Sequence, residues 1–128
     1  MASIIKVETL QDTAGNNAVD MQYVANGSAK TWVSINSASP AIRGSFNVSS
    51  LTDDGSATGV MKITTTNAFD STDNMSVSSG AGNTTTGGGY YKSAGWINDT
   101  NNYFIRAIWG TTGYDIGYVF GQVHGDLA

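Results

Sequence analysis

Residues 103–109 have the sequence Tyr-Phe-Ile-Arg-Ala-Ile-Trp. In an extended chain the odd-numbered side chains, from Tyr103 to Trp109, point to one side of the strand, and the even-numbered ones point to the other. Because the odd-numbered set is wholly apolar or aromatic, we expect it to face the core, with Tyr103 and Trp109 buried there. No apolar i, i+3, i+4, i+7 pattern competes with this alternation, so the stretch predicts a β-strand.

Segments with the same two-residue period recur along the chain, about 8–12 residues apart. They span residues 5–7, 19–23, 30–35, 46–48, 60–65, 75–77 and 116–123. Turn-forming residues separate them, as in Asp12 to Asn17, Asn26-Gly27-Ser28 and Asp53 to Ser56. The pattern predicts an all-β fold in which short antiparallel strands form a sandwich or a barrel-like knob.

Composition excludes several functional classes. The net charge is −4 with only six Lys and Arg in 128 residues, too few to neutralise a phosphate backbone, so we expect no nucleic-acid partner. The absence of cysteine excludes disulfides, thiolate metal sites and a thiol nucleophile. No segment approaches the roughly 20 apolar residues that span a bilayer, so we expect no membrane insertion.

The apolar content is small for a domain of this length. Leu, Ile, Val and Phe together supply 25 of 128 residues, a share near the level that makes an independent core difficult to build. We therefore expect burial to be shared between copies in an intertwined homotrimer. The candidate trimer-interface residues are Ile4, Ile5, Val7, Leu10, Val19 and Met21.

Pro40 suggests a division into two parts. Residues 1–40 are predicted to form an N-terminal β collar or short shaft that trimerises or docks on a virion, and residues 41–128 a C-terminal β-sandwich knob. The glycine-rich stretch from Gly80 to Gly89 predicts an exposed loop in the second part. Tyr90, Tyr91 and Trp96 follow it and are the candidate receptor contacts, because exposed aromatic rings stack on sugars and anchor protein interfaces.

Candidate catalytic and metal-binding residues are few. The single histidine is His124, and no Gly-x-Ser-x-Gly motif accompanies it. Asp53 with Asp54, and Asp70 with Asp73, could serve as a carboxylate pair or as calcium ligands, but Asp beside Gly, Ser and Asn is first a turn former. A ring of three His124 side chains on a trimer axis is a further metal alternative. We expect no catalytic residues, no metal and no cofactor.

Three stretches resemble tail-fibre-like proteins of marine and cyanobacterial bacteriophages. They are residues 3–18, residues 21–33, and residues 42–55 with the sequence Ile-Arg-Gly-Ser-Phe-Asn-Val-Ser-Ser-Leu-Thr-Asp-Asp-Gly. Gly44 stands where the pattern usually has Asp. The resemblance covers most of the chain, weakens between Gly80 and Asn102, and contains no catalytic residue.

The resemblance implies a non-enzymatic, trimeric β module on the virion surface, assembled in the host cytoplasm. The expected role is a tail fibre or receptor-binding tip that recognises the host surface. Its expected partners are itself, other virion proteins of tail or capsid, and a host cell-surface glycan or protein. The alternative is a head-fibre or capsid decoration (cement) protein with a structural role, which the short chain favours over a long tail fibre.

Overall fold

A computed structural model gives the fold of this chain. It describes residues 8–11, 14, 18–20, 24, 27–82 and 91–128, without the side chains of residues 19 and 20. The fold of this part is all-β with antiparallel pairing. The strands are β1 (Thr9–Leu10), β2 (Val19–Asp20), β3 (Ala29–Asn36), β4 (Ala41–Phe46), β5 (Val48–Asp53), β6 (Val60–Thr65), β7 (Ser76–Gly82), β8 (Tyr91–Ile97), β9 (Asn102–Trp109), β10 (Thr112–Gly113) and β11 (Tyr118–His124). A 3-10 turn covers Thr72–Asn74.

Two larger sheets and one hairpin arise from these strands. The four-stranded sheet has the order β4-β3-β11-β7, and the five-stranded sheet has the order β10-β9-β6-β5 with β8 paired to β9. The short strands β1 and β2 pair with each other, with Leu10 opposite Val19. The predicted fold class is therefore confirmed at the level of an all-β chain with antiparallel sheets.

Both sheets contribute one face to a single core. In β9 the odd-numbered residues Tyr103, Ile105 and Ala107 are fully buried, as the alternation predicts. β3 and β6 alternate in the same way. The core consists of Val33, Ile35, Met61, Ile63, Phe69, Met75, Tyr103, Ile105, Ala107, Ile116, Val119 and Val123.

Asn47 carries the chain from one sheet to the other. It lies between β4 and β5 and has a φ of 55° in the left-handed region, which Asn tolerates better than most residues. Its Nδ2 donates to the Lys30 carbonyl (3.1 Å), and its Oδ1 accepts from the Asn67 backbone N–H (2.8 Å). The predicted strand through Phe46 and Val48 is therefore two strands that meet at a hydrogen-bonded corner.

The predicted boundary at Pro40 lies between two paired strands. β3 pairs with β4 and β11, and its Val33 and Ile35 lie in the shared core. Residues 29–36, assigned from the sequence to the N-terminal collar, thus belong to the same sheet as the C-terminal strands. A collar formed by the residues before them stays a prediction.

Two predicted turns lie only partly on described residues. Gly80, Ala81 and Gly82 belong to β7 and not to a loop, and residues 83–89 of the predicted loop lie outside the described residues. At the predicted hairpin Asn26-Gly27-Ser28, the Ser28 N–H donates to the Val24 carbonyl (3.2 Å), a bond between residues four apart. Asn26 lies outside the described residues, so the hairpin stays a prediction.

The described residues contain no helix that is long and apolar enough to cross a membrane.

Candidate functional site

Exposed aromatic side chains gather on the outer face of the four-stranded sheet. Trp32 on β3, Phe46 on β4, and Tyr118 and Phe120 on β11 are between 40% and 55% exposed. Trp32 lies directly opposite Phe46, and Phe120 lies opposite Ser34 in the same sheet. We call these four side chains, on this outer surface, the aromatic sheet face.

Glycines on the neighbouring strands leave space for two of the rings. A Cβ built on Gly80 would overlap the Phe120 ring, so the ring occupies the place of a side chain there. A Cβ on Gly44 would lie 3.5 Å from the Trp32 ring, in ordinary contact. Both rings therefore lie against backbone that has no side chain, and each ring stays about half exposed on its other side.

The aromatic sheet face is nearly free of negative charge. The four strands that form it contain no Asp or Glu, although the whole chain contains 10. Arg43 on β4 places its guanidinium carbon 4.2 Å from the centre of the Tyr118 ring, and its Nε donates to the Gly117 carbonyl (3.2 Å). Aromatic residues and Arg, with few other charges, are the composition of protein interface cores.

A second aromatic group lies at the end of the five-stranded sheet. Tyr91, at the start of β8, is directly opposite Trp109, at the end of β9, and their ring centres are 5.2 Å apart. The ring of Tyr114, just after β10, is 6.2 Å from that of Tyr91. The three rings line a cavity of about 280 Å³. We call it the aromatic cleft.

The side chain of Trp109 corrects an expectation from the sequence. It was predicted to be buried with Tyr103, but it is 47% exposed, and Tyr114 beside it is 50% exposed. Trp109 does point to the core side of β9, yet among the described residues no strand of the opposite sheet covers it. Strand alternation predicts to which face of the sheet a side chain points, but it does not predict how far the opposite sheet extends over that face.

The predicted receptor contacts are not brought together. Tyr91 pairs with Trp109 on the inner side of β8, whereas Trp96 pairs with Phe104 on the outer side, with stacked rings 5.1 Å apart. Because the two residues are five positions apart in one strand, they must point to opposite faces. Tyr90 lies outside the described residues.

Most of the predicted trimer-interface residues cannot be placed. Ile4, Ile5, Val7 and Met21 lie outside the described residues, and Val19 is described only as part of β2. Leu10 is 50% exposed on β1, as an interface residue of an isolated copy would be. The trimer interface at the N-terminus therefore stays a prediction.

His124 lies at the opposite end of the four-stranded sheet from Tyr118. It is half-buried opposite Ser76 and lines a polar cavity of about 280 Å³ with Asn74 and Asp126. Within the described residues, no side-chain hydrogen bond joins His124 to Ser76 or Asp126. The same part of the chain contains no group of three or more His, Cys, Asp or Glu side chains that could hold a metal ion.

Sequence reasoning missed the aromatic sheet face because β11 is ambiguous. Tyr118 and Phe120 alternate as well as Val119 and Val123 do, and either set could face the core. Gly121 decides between them in the structure, because a Cβ there would lie 2.7 Å from Cγ2 of Ile105, so the side of β11 that contains this glycine packs against the other sheet. The sequence contains no signal for that contact.

No protein-family model, curated protein or solved structure matches this chain.

Proposed function

We propose that this chain is a non-enzymatic module of a bacteriophage virion fibre, a homotrimer that recognises the host surface. In this proposal the two sheets form a β-sandwich knob, and three knobs pack their aromatic sheet faces around a three-fold axis. The residues before β3, with Ile4, Ile5, Val7, Leu10, Val19 and Met21, form a collar on that axis or dock on the virion.

The exposed aromatic sheet face is the observation that carries this proposal. An aromatic side chain has an area of about 150–250 Å², so four of them at 40–55% exposure leave roughly 400 Å² of aromatic surface in contact with water. The largest apolar patch on a typical monomer has about this area, and such a patch is often functional. A standard interface buries about 800 Å² on each partner, and its centre is the apolar, charge-depleted part.

A second copy is the occupant that suits this face. The chain has a net charge of −4, so acidic groups elsewhere on two copies would repel each other. The four strands at the contact, however, contain no Asp or Glu. The faces can therefore meet without burying a carboxylate, whose desolvation would cost several kcal/mol. The small apolar content of the chain is explained in the same way, because part of the core forms between copies.

The mass of the full chain in solution, measured by native mass spectrometry, tests the proposal. A trimer of three 13.4 kDa chains is expected, and Phe46→Ser with Phe120→Ser should shift it to monomer. Trp96→Ser is the control, because it removes an exposed aromatic ring outside the face. A trimer that survives the double substitution would remove the face from the proposal and leave the N-terminal residues as the interface.

A monomer would overturn the trimer and favour the alternative, a capsid decoration or head-fibre protein. The aromatic sheet face would then contact a different virion protein. Electron microscopy of phage particles labelled with an antibody to the chain separates the two roles, because a tail fibre labels the tail and a decoration protein labels the capsid.

A further inference from the structure

We propose that the aromatic cleft binds one neutral sugar ring and is the receptor site of this module. This inference rests on the proposed function, and it assigns recognition to Tyr91, Trp109 and Tyr114. The three residues come from strand β8, strand β9 and the segment after β10, so the site exists only in the folded chain.

The ring geometry suits a sugar. Trp109 and Tyr114 are both about half exposed, and the more buried Tyr91 lies between them at tilts of 56° and 47°. The axial C–H groups of a pyranose carry partial positive charge and stack on the electron-rich face of an indole. The tilted arrangement leaves the hydroxyl edge of the sugar within reach of the Tyr114 phenol, which both donates and accepts hydrogen bonds.

The size of the cleft limits the ligand to a single ring. Its volume is about 280 Å³, just below the roughly 300–1,000 Å³ of sites for drug-sized ligands. A longer glycan would place one residue in the cleft and the others on the surface. A ligand of this size with few polar contacts binds weakly, with a Kd on the order of 1–10 mM, and three sites on a trimer raise the avidity for a cell surface.

Charge separates a neutral sugar from the other ligands that stack on aromatic rings. A nucleotide is disfavoured because the chain has a net charge of −4. Aromatic cages also hold quaternary ammonium groups. Every described residue that lines the cleft is an uncharged aromatic one, so no carboxylate is placed there to pair with a cation.

Backbone contacts hold the cleft in position. The Tyr114 N–H donates to the Ala107 carbonyl at 3.0 Å, which ties the segment after β10 to β9. Gly59, with a φ of +77°, lies so close to the Tyr114 backbone that a Cβ at Gly59 would be 2.6 Å from the Tyr114 carbonyl oxygen. The backbone that carries the third ring is therefore fixed by main-chain contacts, and a substitution of the Tyr114 side chain should leave the fold intact.

Saturation-transfer NMR on the full chain tests the inference. The probes are the methyl pyranosides of glucose, galactose and mannose, with N-acetylglucosamine, and choline chloride as the cation. At least one sugar should bind with the stacked C–H face saturated most, and Trp109→Ala and Tyr114→Ala should each weaken binding at least tenfold. Thermal unfolding of each variant shows that the fold remains.

Trp96→Ala is the comparison variant, since Trp96 is an exposed tryptophan on the opposite side of the same sheet, and sugar binding should be unchanged there. Binding of choline but no sugar, loss of sugar binding in Trp96→Ala but not in Trp109→Ala, or no binding by any probe would each overturn the inference. A trimer that labels host cells but binds no sugar would end this inference and leave the proposed function standing.

Discussion

The ring of Phe120 lies over Gly80 on the adjacent strand and takes the space that a side chain at position 80 would fill. The contact joins β11 to β7 on the aromatic sheet face. The contact gives the outward-facing ring of β11 a structural role, because the ring covers the backbone of β7 at Gly80, which would otherwise be exposed to water.

Gly80→Ala should therefore disturb the aromatic sheet face and weaken self-association. The new methyl group displaces the Phe120 ring, which can rotate outward. The free energy of unfolding should therefore fall by less than about 1 kcal/mol, while the dissociation constant of the trimer rises roughly tenfold. Analytical ultracentrifugation across a dilution series measures the change. Gly82→Ala is the control, since nothing lies within 4 Å of a Cβ there in the same strand; equal effects at both positions would contradict the prediction.

Tyr103→Phe should stabilise the chain. The Tyr103 hydroxyl is buried and, within the described residues, makes no hydrogen bond. Burial raises the pKa of the phenol to about 12, against a smaller lowering by the neighbouring Thr31 hydroxyl. Thr31 is no geometric partner for the phenol, because its own proton goes to the Phe46 carbonyl at 3.0 Å. Removing an unpaired buried hydroxyl should raise the free energy of unfolding by about 1 kcal/mol.

Urea denaturation of the Tyr103→Phe variant checks this gain. Tyr114→Phe removes the same atom from a half-exposed ring and should leave the unfolding midpoint unchanged. A loss of stability in Tyr103→Phe would mean that the hydroxyl is hydrogen-bonded in solution.

Substitutions of Asn47 should separate backbone strain from side-chain hydrogen bonding. Asn47→Ala loses the bonds to Lys30 and Asn67 and keeps a Cβ at positive φ without the polar side chain that lets Asn tolerate it, so it should cost about 2–3 kcal/mol. Asn47→Gly loses the same bonds without the strain and should cost about 1 kcal/mol less. Thermal unfolding of both variants measures the difference; equal costs would show that the corner carries no strain.

The turn between β8 and β9 should give the stability a component that depends on pH. Burial raises the pKa of Asp99, but hydrogen bonds from Asn102, Asn101 and Asn98 lower it by more, so the pKa lies below its ordinary value of 3.8. A pKa that is lower in the folded state than in the unfolded state stabilises the fold above the unfolded value. That contribution should be lost as the pH falls from about 5 through the folded pKa.

Unfolding midpoints at pH 7 and pH 3 measure this component. The wild type should lose more stability between the two values than Asp99→Asn does. Asp54→Asn, which changes an exposed carboxylate in another turn, should behave like the wild type. Parallel profiles for the wild type and Asp99→Asn would contradict the role of the turn.

Local pattern alone was sufficient for the strands of the core. In β3, β6 and β9 the apolar side chains occupy alternate positions, and because strand side chains point to opposite faces, the buried sets could be read directly from the residues. The all-β class followed from the same chemistry, since Gly, Asn and Asp at turns and β-branched residues in strands leave few alternatives.

The candidate sites were decided by tertiary structure. Which side of β11 faces outward depends on the close approach of Gly121 to Ile105, a contact 16 positions apart that no local pattern contains. The exposure of Trp109 depends on where the opposite sheet ends, and the aromatic cleft depends on pairing that sets Tyr91 beside it. Alternation therefore determined which residues share a side of each strand, while the packing of one sheet on the other determined which of those sides meets water.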